Sequence, residues 1–368
     1  MNWIRIISIN FIVFLGLLIL IEMGLRLAWT GYSCFFGDCD YERLTNIKIY
    51  DVNNGFSEKY IGLSEYDNLL GYKPNSGFKG IINAAGWNDK LVTINKKGFR
   101  LNDNGFQSND LDFSKKILAI GDSFTFGDQV NNHETWPACV EKKTNLPTSN
   151  AGVFGYGSAQ AVRRASRILI EENFNTIILS ILLYDDFYRD QLIFRSGFPR
   201  PAVLNVDGNL IYSKVPDENS RGTKWNPSVP RLFLISIKNR SMLGARIIDS
   251  FRIDLTGMRR TEIHPEAASI DEIISFTIGE FNKIKVNEKF IVLQYGSNDL
   301  PNLSSKVSRL KNLVQLFSKE NGIKIIDTFN VLKDNLSAGR NMIWQGHHTP
   351  YGNMVVCEEI SKYLKNKK

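Results

Sequence analysis

Ser123 lies where residue types and spacing most clearly allow chemistry. It follows Gly121 and Asp122, which come directly after the apolar run 117–120. A strand that ends there and leads into a helix places the serine hydroxyl at the carboxyl edge of a sheet, where open α/β sheets bind ligands. At a helix amino terminus, the hydroxyl and its backbone N–H favour a developing negative charge. The pattern therefore indicates a place to form an oxyanion or, alternatively, an ordinary helix-capping serine.

Two later segments offer the groups that such a serine would need. Residues 150–157 carry three glycines within six positions, so a backbone amide can approach a ligand closely. A flexible loop between a strand and a helix is the alternative. Residues 346–353 hold two of the four histidines of the chain, in a Gly/Pro loop that precedes a helical pattern. A histidine in such a loop is a candidate general base.

The order of these three motifs resembles that of the SGNH (GDSL-type) esterase superfamily. The resemblance covers about residues 92–190 and 285–362. It implies that Ser123 is the acyl-accepting nucleophile, that Gly155 gives an oxyanion-hole amide, and that His347 is the base. It implies no metal and no organic cofactor. Residues around the motifs also resemble a membrane-anchored bacterial branch of the superfamily: 95–100, 128–130, 135–137, and the end of the first apolar segment at Glu22 and Arg26.

Two positions depart from the pattern of the superfamily. Its third motif supplies an Asn to the oxyanion, and the corresponding residue here is Asp185. A carboxylate there helps only if it is protonated or turned away. The acid that precedes the catalytic histidine is replaced by Gln345, which can hold the tautomer of His347 but cannot stabilise an imidazolium by charge. Asp327, at the end of a predicted strand, is an alternative source of the acid.

A second sequence could be mistaken for the third motif. Residues 296–299 read Gly-Ser-Asn-Asp after the predicted strand 290–294. They come late in the order of motifs. We interpret them as a turn at the end of a strand, near the rim of the site.

The amino-terminal segment predicts one transmembrane helix. An apolar run extends from Ile6 to Ile21 and continues to Trp29, and about 20 apolar residues span a bilayer. Arg5 and the α-amino group favour a cytoplasmic terminus. This predicts a single-pass protein that contacts membrane lipid, with the rest of the chain periplasmic or extracellular. A cleaved signal peptide is the alternative, although no clear cleavage site follows the run.

The four cysteines give two different expectations. Cys34 and Cys39 lie in a loop beyond the apolar segment, at a spacing that permits a small disulfide. Cys139 and Cys357 lie in helical patterns, and we expect them to be buried thiols.

Composition and pattern predict the domain organisation. The 368 residues are 43% hydrophobic and 23% charged, with a net charge of +7 from dispersed lysines. The sequence shows no basic and aromatic array of the kind that binds nucleic acid, and we expect no nucleic-acid partner. Residues 1–30 form the predicted anchor and 31–112 a β-rich extension. Residues 113–368 form the catalytic domain, with 190–265 as a lid or insertion that contains a hairpin on an Asp-Gly turn.

Alternating strand and helix patterns over 116–368 predict the fold class. We expect an α/β domain with a three-layer, flavodoxin-like parallel sheet and helices on both faces. The predicted function is hydrolysis of acyl esters on an envelope glycan or lipid. One alternative is an O-acyltransferase acting on an envelope polysaccharide. The other is a glycan-binding or assembly protein that has lost catalysis.

Overall fold

The computed structural model describes residues 10, 13–14, 16–24, 62–82, 87–103, 111–195, 198–217, 262–300, 302–344 and 346–365. The chain divides into a unit of residues 56–223 and 259–368 and a unit of residues 1–55 and 224–258. In the second unit, a helical stretch is described over 16–24. Of the helices in the described residues, none is long and apolar enough to cross a membrane. Half of the predicted span 6–29 lies outside those residues, as do Cys34, Cys39 and Gln345.

A five-stranded parallel sheet forms the centre of the larger unit. Its strands are β1 (Ile117–Ile120), β2 (Thr148–Asn150), β3 (Thr176–Leu182), β4 (Glu288–Gln294) and β5 (Lys324–Asp327). They pair in the order 2-1-3-4-5, and every pair is parallel. This is the flavodoxin-like order. β2 lies on one side of β1, and β3 to β5 follow on the other side, so the switch point is between β1 and β3. The predicted sheet is therefore confirmed.

Helices cover both faces of this sheet. Every residue of β3 is buried, which requires a layer on each side. The helices are α1 (Ser123–Phe126), α2 (Trp136–Thr144), α3 (Ser158–Glu171), α4 (Asp185–Arg189), α5 (Ile270–Lys283), α6 (Ser305–Glu320), α7 (Phe329–Ser337) and α8 (Pro350–Lys365), with a 3-10 turn at Asn132–Glu134. The sequence pattern did not predict α4, α7, the 3-10 turn or strand β2.

Short antiparallel strands surround the central sheet. Two hairpins precede β1: Ser64–Asp67 with Gly71–Pro74, and Lys79–Ile82 with Lys90–Thr93. After α4, Leu192–Arg195 pairs with Phe198–Pro199 and with Glu262–Ile263. Val203–Val206 and Asn209–Tyr212 form the predicted hairpin, and both turn residues, Asp207 and Gly208, have positive φ angles of 51° and 83°. This is the conformation that favours Asp-Gly in two-residue turns.

A disulfide between Cys139 and Cys357 links α2 to α8. The prediction of two buried thiols is therefore wrong. Helical periodicity correctly indicated that Cys357 is buried. It could not indicate that two cysteines 218 positions apart meet, because their contact depends on how α8 packs against α2.

Candidate active site

Ser123 is the first residue of α1, at the carboxyl end of β1. The Asp122 side chain caps this helix by accepting a hydrogen bond from the Phe124 N–H at 2.9 Å. Gly121 permits the sharp turn: its φ is 150°, and a Cβ there would lie 2.7 Å from the backbone oxygen of Ser180. The local sequence thus fixes the serine at the edge between β1 and β3.

His347 reaches the serine from the other end of the chain. It lies in the short strand His347–His348, which pairs with Ile343–Trp344 just before α8. Its Nε2 is 2.9 Å from the Oγ of Ser123, although 224 positions separate the two residues. The ring of Phe124 lies beside the imidazole, with 5.4 Å between ring centroids. A proton can pass from the hydroxyl to Nε2 at this distance when Nε2 is the unprotonated nitrogen.

His348 points to a different environment. It is 2% exposed and packs edge-on against Phe124, with ring centroids 4.8 Å apart. Burial lowers the pKa of His348 to about 4, so its imidazole is neutral at neutral pH. The two adjacent histidines therefore divide into one beside Ser123 and one within the core.

Asp128 is a carboxylate that motif comparison did not single out for the site. Its side chain is fully buried, and its Oδ2 lies 3.9 Å from the Nε2 of His347. Its backbone N–H donates to the carbonyl of Ser123 at 3.0 Å, which fixes Asp128 next to the serine. The guanidinium of Arg100 donates to the nearby carbonyls of Phe126 and Val130. Its positive charge also interacts with Asp128. A buried negative charge thus lies close to the imidazole, on its Nε2 side.

Arg189 joins the serine motif and the glycine loop to α4, and it was also missed from the sequence. Its guanidinium lies 2.8 Å from the carboxylate of Asp122 and 2.6 Å from that of Asp186, and it donates to the carbonyl of Tyr156 at 3.2 Å. Burial would lower the pKa of Arg189, but the two carboxylates raise it above its usual value. The burial of this arginine in α4 could not be inferred from helical periodicity.

The glycine loop runs beside the serine. The Val153 N–H donates to the carbonyl of Gly121 at 3.0 Å, which joins the loop to the end of β1. Gly155 has a φ of 71° and lies against Tyr72, whose hydroxyl oxygen would be 3.2 Å from an added Cβ. Within the described residues, neither the Ser123 N–H nor the Gly155 N–H donates a hydrogen bond. Both amides are thus available to another acceptor.

Of the other predicted residues, the structure describes Asp185 and Asp327. Asp185 is exposed at the first position of α4. Asp327 is bound to Lys311 at 2.5 Å and to the Tyr295 hydroxyl at 2.8 Å, so its oxygens serve other partners. Gln345 lies outside the described residues.

The late Gly-Ser-Asn-Asp sequence forms a turn after β4, closed by a hydrogen bond from the Asp299 N–H to the Gly296 carbonyl at 3.1 Å. Burial raises the pKa of Asp299, which also faces the carboxylate of Asp185. Across the part of the chain that is described, no cluster of three or more histidine, cysteine or acidic residues could hold a metal ion.

Fold and site together define an α/β protein with a serine–histidine pair at the switch point of its sheet. No family model and no curated protein matches the sequence. Among solved structures, a lipolytic protein of the G-D-S-L family from Veillonella parvula is similar to this chain at 12% identity. Its TM-score is 0.41, over 69% of this chain and 100% of that one.

Two esterases of solved structure are similar to this chain to the same degree. An acetylxylan esterase from Geobacillus stearothermophilus has 11% identity and a TM-score of 0.39, over 70% of this chain and 96% of that one. A two-domain esterase active on acetylated mannans has 12% identity and a TM-score of 0.39, over 68% of this chain and 49% of that one. At these TM-scores and identities, the similarity identifies neither the reaction nor the substrate of this chain.

Proposed function

We propose that this chain is a serine-dependent acyl-ester hydrolase of the SGNH (GDSL-type) superfamily. The observation that carries the proposal is the distance of 2.9 Å between Ser123 Oγ and His347 Nε2. A nucleophilic hydroxyl needs a base within hydrogen-bond reach. The switch point of a 2-1-3-4-5 sheet is where such a pair would meet a ligand. The three motifs that resemble those of the superfamily occur in its order along the chain.

The reaction proceeds through an acyl-enzyme. Ser123 Oγ attacks the ester carbonyl while His347 Nε2 takes the hydroxyl proton, and the tetrahedral oxyanion accepts hydrogen bonds from the Ser123 and Gly155 amides. The imidazolium of His347 then gives its proton to the leaving alcohol. In the second half, His347 Nε2 takes a proton from a water molecule, which attacks the acyl-serine carbonyl. The imidazolium returns this proton to Ser123 Oγ as the bond between the acyl carbon and Oγ breaks and the acid leaves. These two roles are those of histidine in serine hydrolases generally.

Asp128 supplies the negative charge that Gln345 lacks. Its carboxylate is 3.9 Å from Nε2, where it attracts the imidazolium that forms during attack. At an effective dielectric of about 20, two unit charges about 4 Å apart attract by about 4 kcal/mol. Because the carboxylate lies near Nε2, it acts by charge and does not hold the Nδ1 tautomer. We therefore assign to Asp128 the role of stabilising the imidazolium of His347, without contact with the substrate.

The protein acts at the cell envelope on an acylated glycan or lipid, held in the membrane by the segment 6–29. The disulfide between Cys139 and Cys357 supports export, because disulfides persist mainly in oxidising compartments. Washing membranes with alkaline carbonate tests the anchor. The chain should stay in the membrane fraction, whereas a soluble chain that begins beyond Trp29 would contradict this part of the proposal.

Hydrolysis of 4-nitrophenyl acetate by the full chain in detergent tests the proposed function. Ser123→Ala should reduce the rate to background, and Ser114→Ala, at an exposed turn before β1, should not change it. Retention of the wild-type rate by Ser123→Ala would overturn the assignment. If the acetyl group appears on an added oligosaccharide and not as free acetate, the reaction is acyl transfer.

A further inference from the structure

Arg195 is a cation beside the glycine loop, at the end of strand Leu192–Arg195. It lies directly opposite Phe198 in the antiparallel pair, and residues opposite each other share a face of the sheet. The ring of Phe198 packs against Tyr72, with ring centroids 4.8 Å apart. The Tyr72 hydroxyl donates to the carbonyl of Phe154 at 2.8 Å, immediately before Gly155. Arg195 therefore lies on the face that borders the predicted oxyanion amide.

The buried arginines near Arg195 are all bound to other groups. Arg189 is paired with two carboxylates. Arg200 donates to the carbonyl of Gly155 at 3.0 Å and to the side chain of Gln160 at 2.6 Å. Arg195 makes no hydrogen bond or ion pair with any described residue, and it is partly exposed. Its guanidinium can therefore meet a ligand from solvent.

The carboxylates in this region do not neutralise Arg195. Asp122 and Asp186 bind Arg189. Asp190 accepts hydrogen bonds from the Ser158 hydroxyl and the Ala159 N–H. The remaining one, Asp185, faces Arg195 electrostatically but lies beyond ion-pair distance.

The surroundings of Arg195 disfavour its positive charge. Burial, together with repulsion from Arg189 and Arg200, lowers the pKa of Arg195 to about 10. The side chain is still charged at neutral pH. A half-buried cation next to two others costs free energy unless an anion compensates it.

We infer that Arg195 binds an anionic oxyacid group of the substrate beside the scissile ester. This inference rests on the proposed function and narrows it to an acyl ester of an acidic glycan, such as one that contains uronic acid residues. A planar guanidinium matches a carboxylate with two parallel hydrogen bonds. Its partly exposed position next to the glycine loop would orient a sugar carboxylate while Ser123 attacks the acyl group.

Matched pairs of aryl acetates test the inference. The anionic substrates are 3- and 4-acetoxybenzoate, and their methyl esters are the neutral counterparts. We expect the wild-type chain to prefer the anion in kcat/KM, and Arg195→Gln to reduce that preference about ten-fold or more, as for the loss of a hydrogen bond to a charged group. Arg195→Lys should restore part of it. As a control, Lys142→Gln removes one positive charge at an exposed position of α2 and should leave the preference for the anion unchanged.

Two results would overturn the inference. One is an anion preference that Arg195→Gln does not alter. The other is an equal loss of kcat/KM on the anionic and neutral esters in Arg195→Gln. This would mean that Arg195 only supports the packing of Phe198. Thermal unfolding of each variant checks that the fold is retained.

A binding measurement separates this inference from the proposed function. If no ester is hydrolysed, the proposed function fails. Arg195 can then be tested alone, by calorimetry on Ser123→Ala protein with trigalacturonate and with neutral xylotriose. Trigalacturonate should bind, xylotriose should not, and the added change Arg195→Gln should weaken trigalacturonate binding about ten-fold or more. Equal binding with and without Arg195 would contradict the inference.

Discussion

His347 Nε2 lies 2.9 Å from Ser123 Oγ, whereas the adjacent His348 packs edge-on against Phe124. We therefore predict that only His347 acts as the base. His347→Gln should lower kcat for ester hydrolysis at least about a hundred-fold, the order that general base catalysis contributes. His348→Gln should lower it only a few-fold through altered packing. Steady-state kinetics on both variants shows which histidine is the base. A larger loss of kcat in His348→Gln than in His347→Gln would show that the base is misassigned.

Asp128 should affect turnover more than substrate binding. Asp128→Asn keeps the shape of the side chain but removes the charge near His347, so kcat should fall about ten- to a hundred-fold, or about 1.4–2.8 kcal/mol in the barrier. KM should change little. The matched control is Asp327→Asn, which loses the ion pair with Lys311. It should lower the free energy of unfolding by about 1 kcal/mol without changing kcat. A severe loss of kcat in the control alone would identify Asp327 as the acid.

The buried His348 should make stability depend on pH. Its pKa is about 4 in the folded chain and about 6.5 in an unfolded one. The unfolded chain therefore binds more protons between these values, and stability falls as the pH falls through this window, by about 3 kcal/mol in total. Burial raises the pKa of Asp190 to about 6, which gives the opposite dependence between about pH 4 and 6.

Because the two dependences overlap, the measurement must isolate His348. Urea unfolding of the wild type and of His348→Gln at pH 7.5 and pH 4.5 gives the difference directly. The variant should lose less stability on acidification than the wild type does. An identical loss in both proteins would show that His348 is protonated in the folded chain, contrary to its burial.

The disulfide between Cys139 and Cys357 should stabilise the fold. It closes a loop across 218 positions, and the chain-entropy model gives about 5 kcal/mol as an upper value for such a loop. We expect the double variant Cys139→Ser/Cys357→Ser to lose about 2–4 kcal/mol of unfolding free energy. Urea unfolding measures this loss, and alkylation and mass spectrometry of the denatured, unreduced chain test the disulfide itself. Modification of both cysteines would contradict the link.

Local features of the fold could be predicted because neighbouring residues determine them. The apolar run before Gly121 fixes where β1 ends, and Asp207 and Gly208 adopt the positive φ angles that their hairpin requires. The alternation of strands and helices was sufficient to predict the parallel sheet. Ser123 and His347 were identified from short motifs whose residues adjoin the ends of these elements.

The remaining features depend on how distant elements pack. Arg189 binds Asp122 across 67 positions, and the periodicity of a five-residue helix does not show which face is buried. Asp128 lies in the turn after α1, but its proximity to His347 depends on the strand that precedes α8. The unpaired state of Arg195 likewise follows from which carboxylates are bound elsewhere, and a sequence pattern does not record this.

Labelling with a fluorophosphonate probe tests the serine assignment most directly. The probe reacts with a serine only when a base activates it and an oxyanion site receives it. We expect one adduct, located by mass spectrometry on the peptide that contains Ser123. It should be absent from Ser123→Ala and strongly reduced in His347→Gln. A wild-type chain that is folded but unlabelled, or an adduct that persists in Ser123→Ala, would contradict the serine assignment.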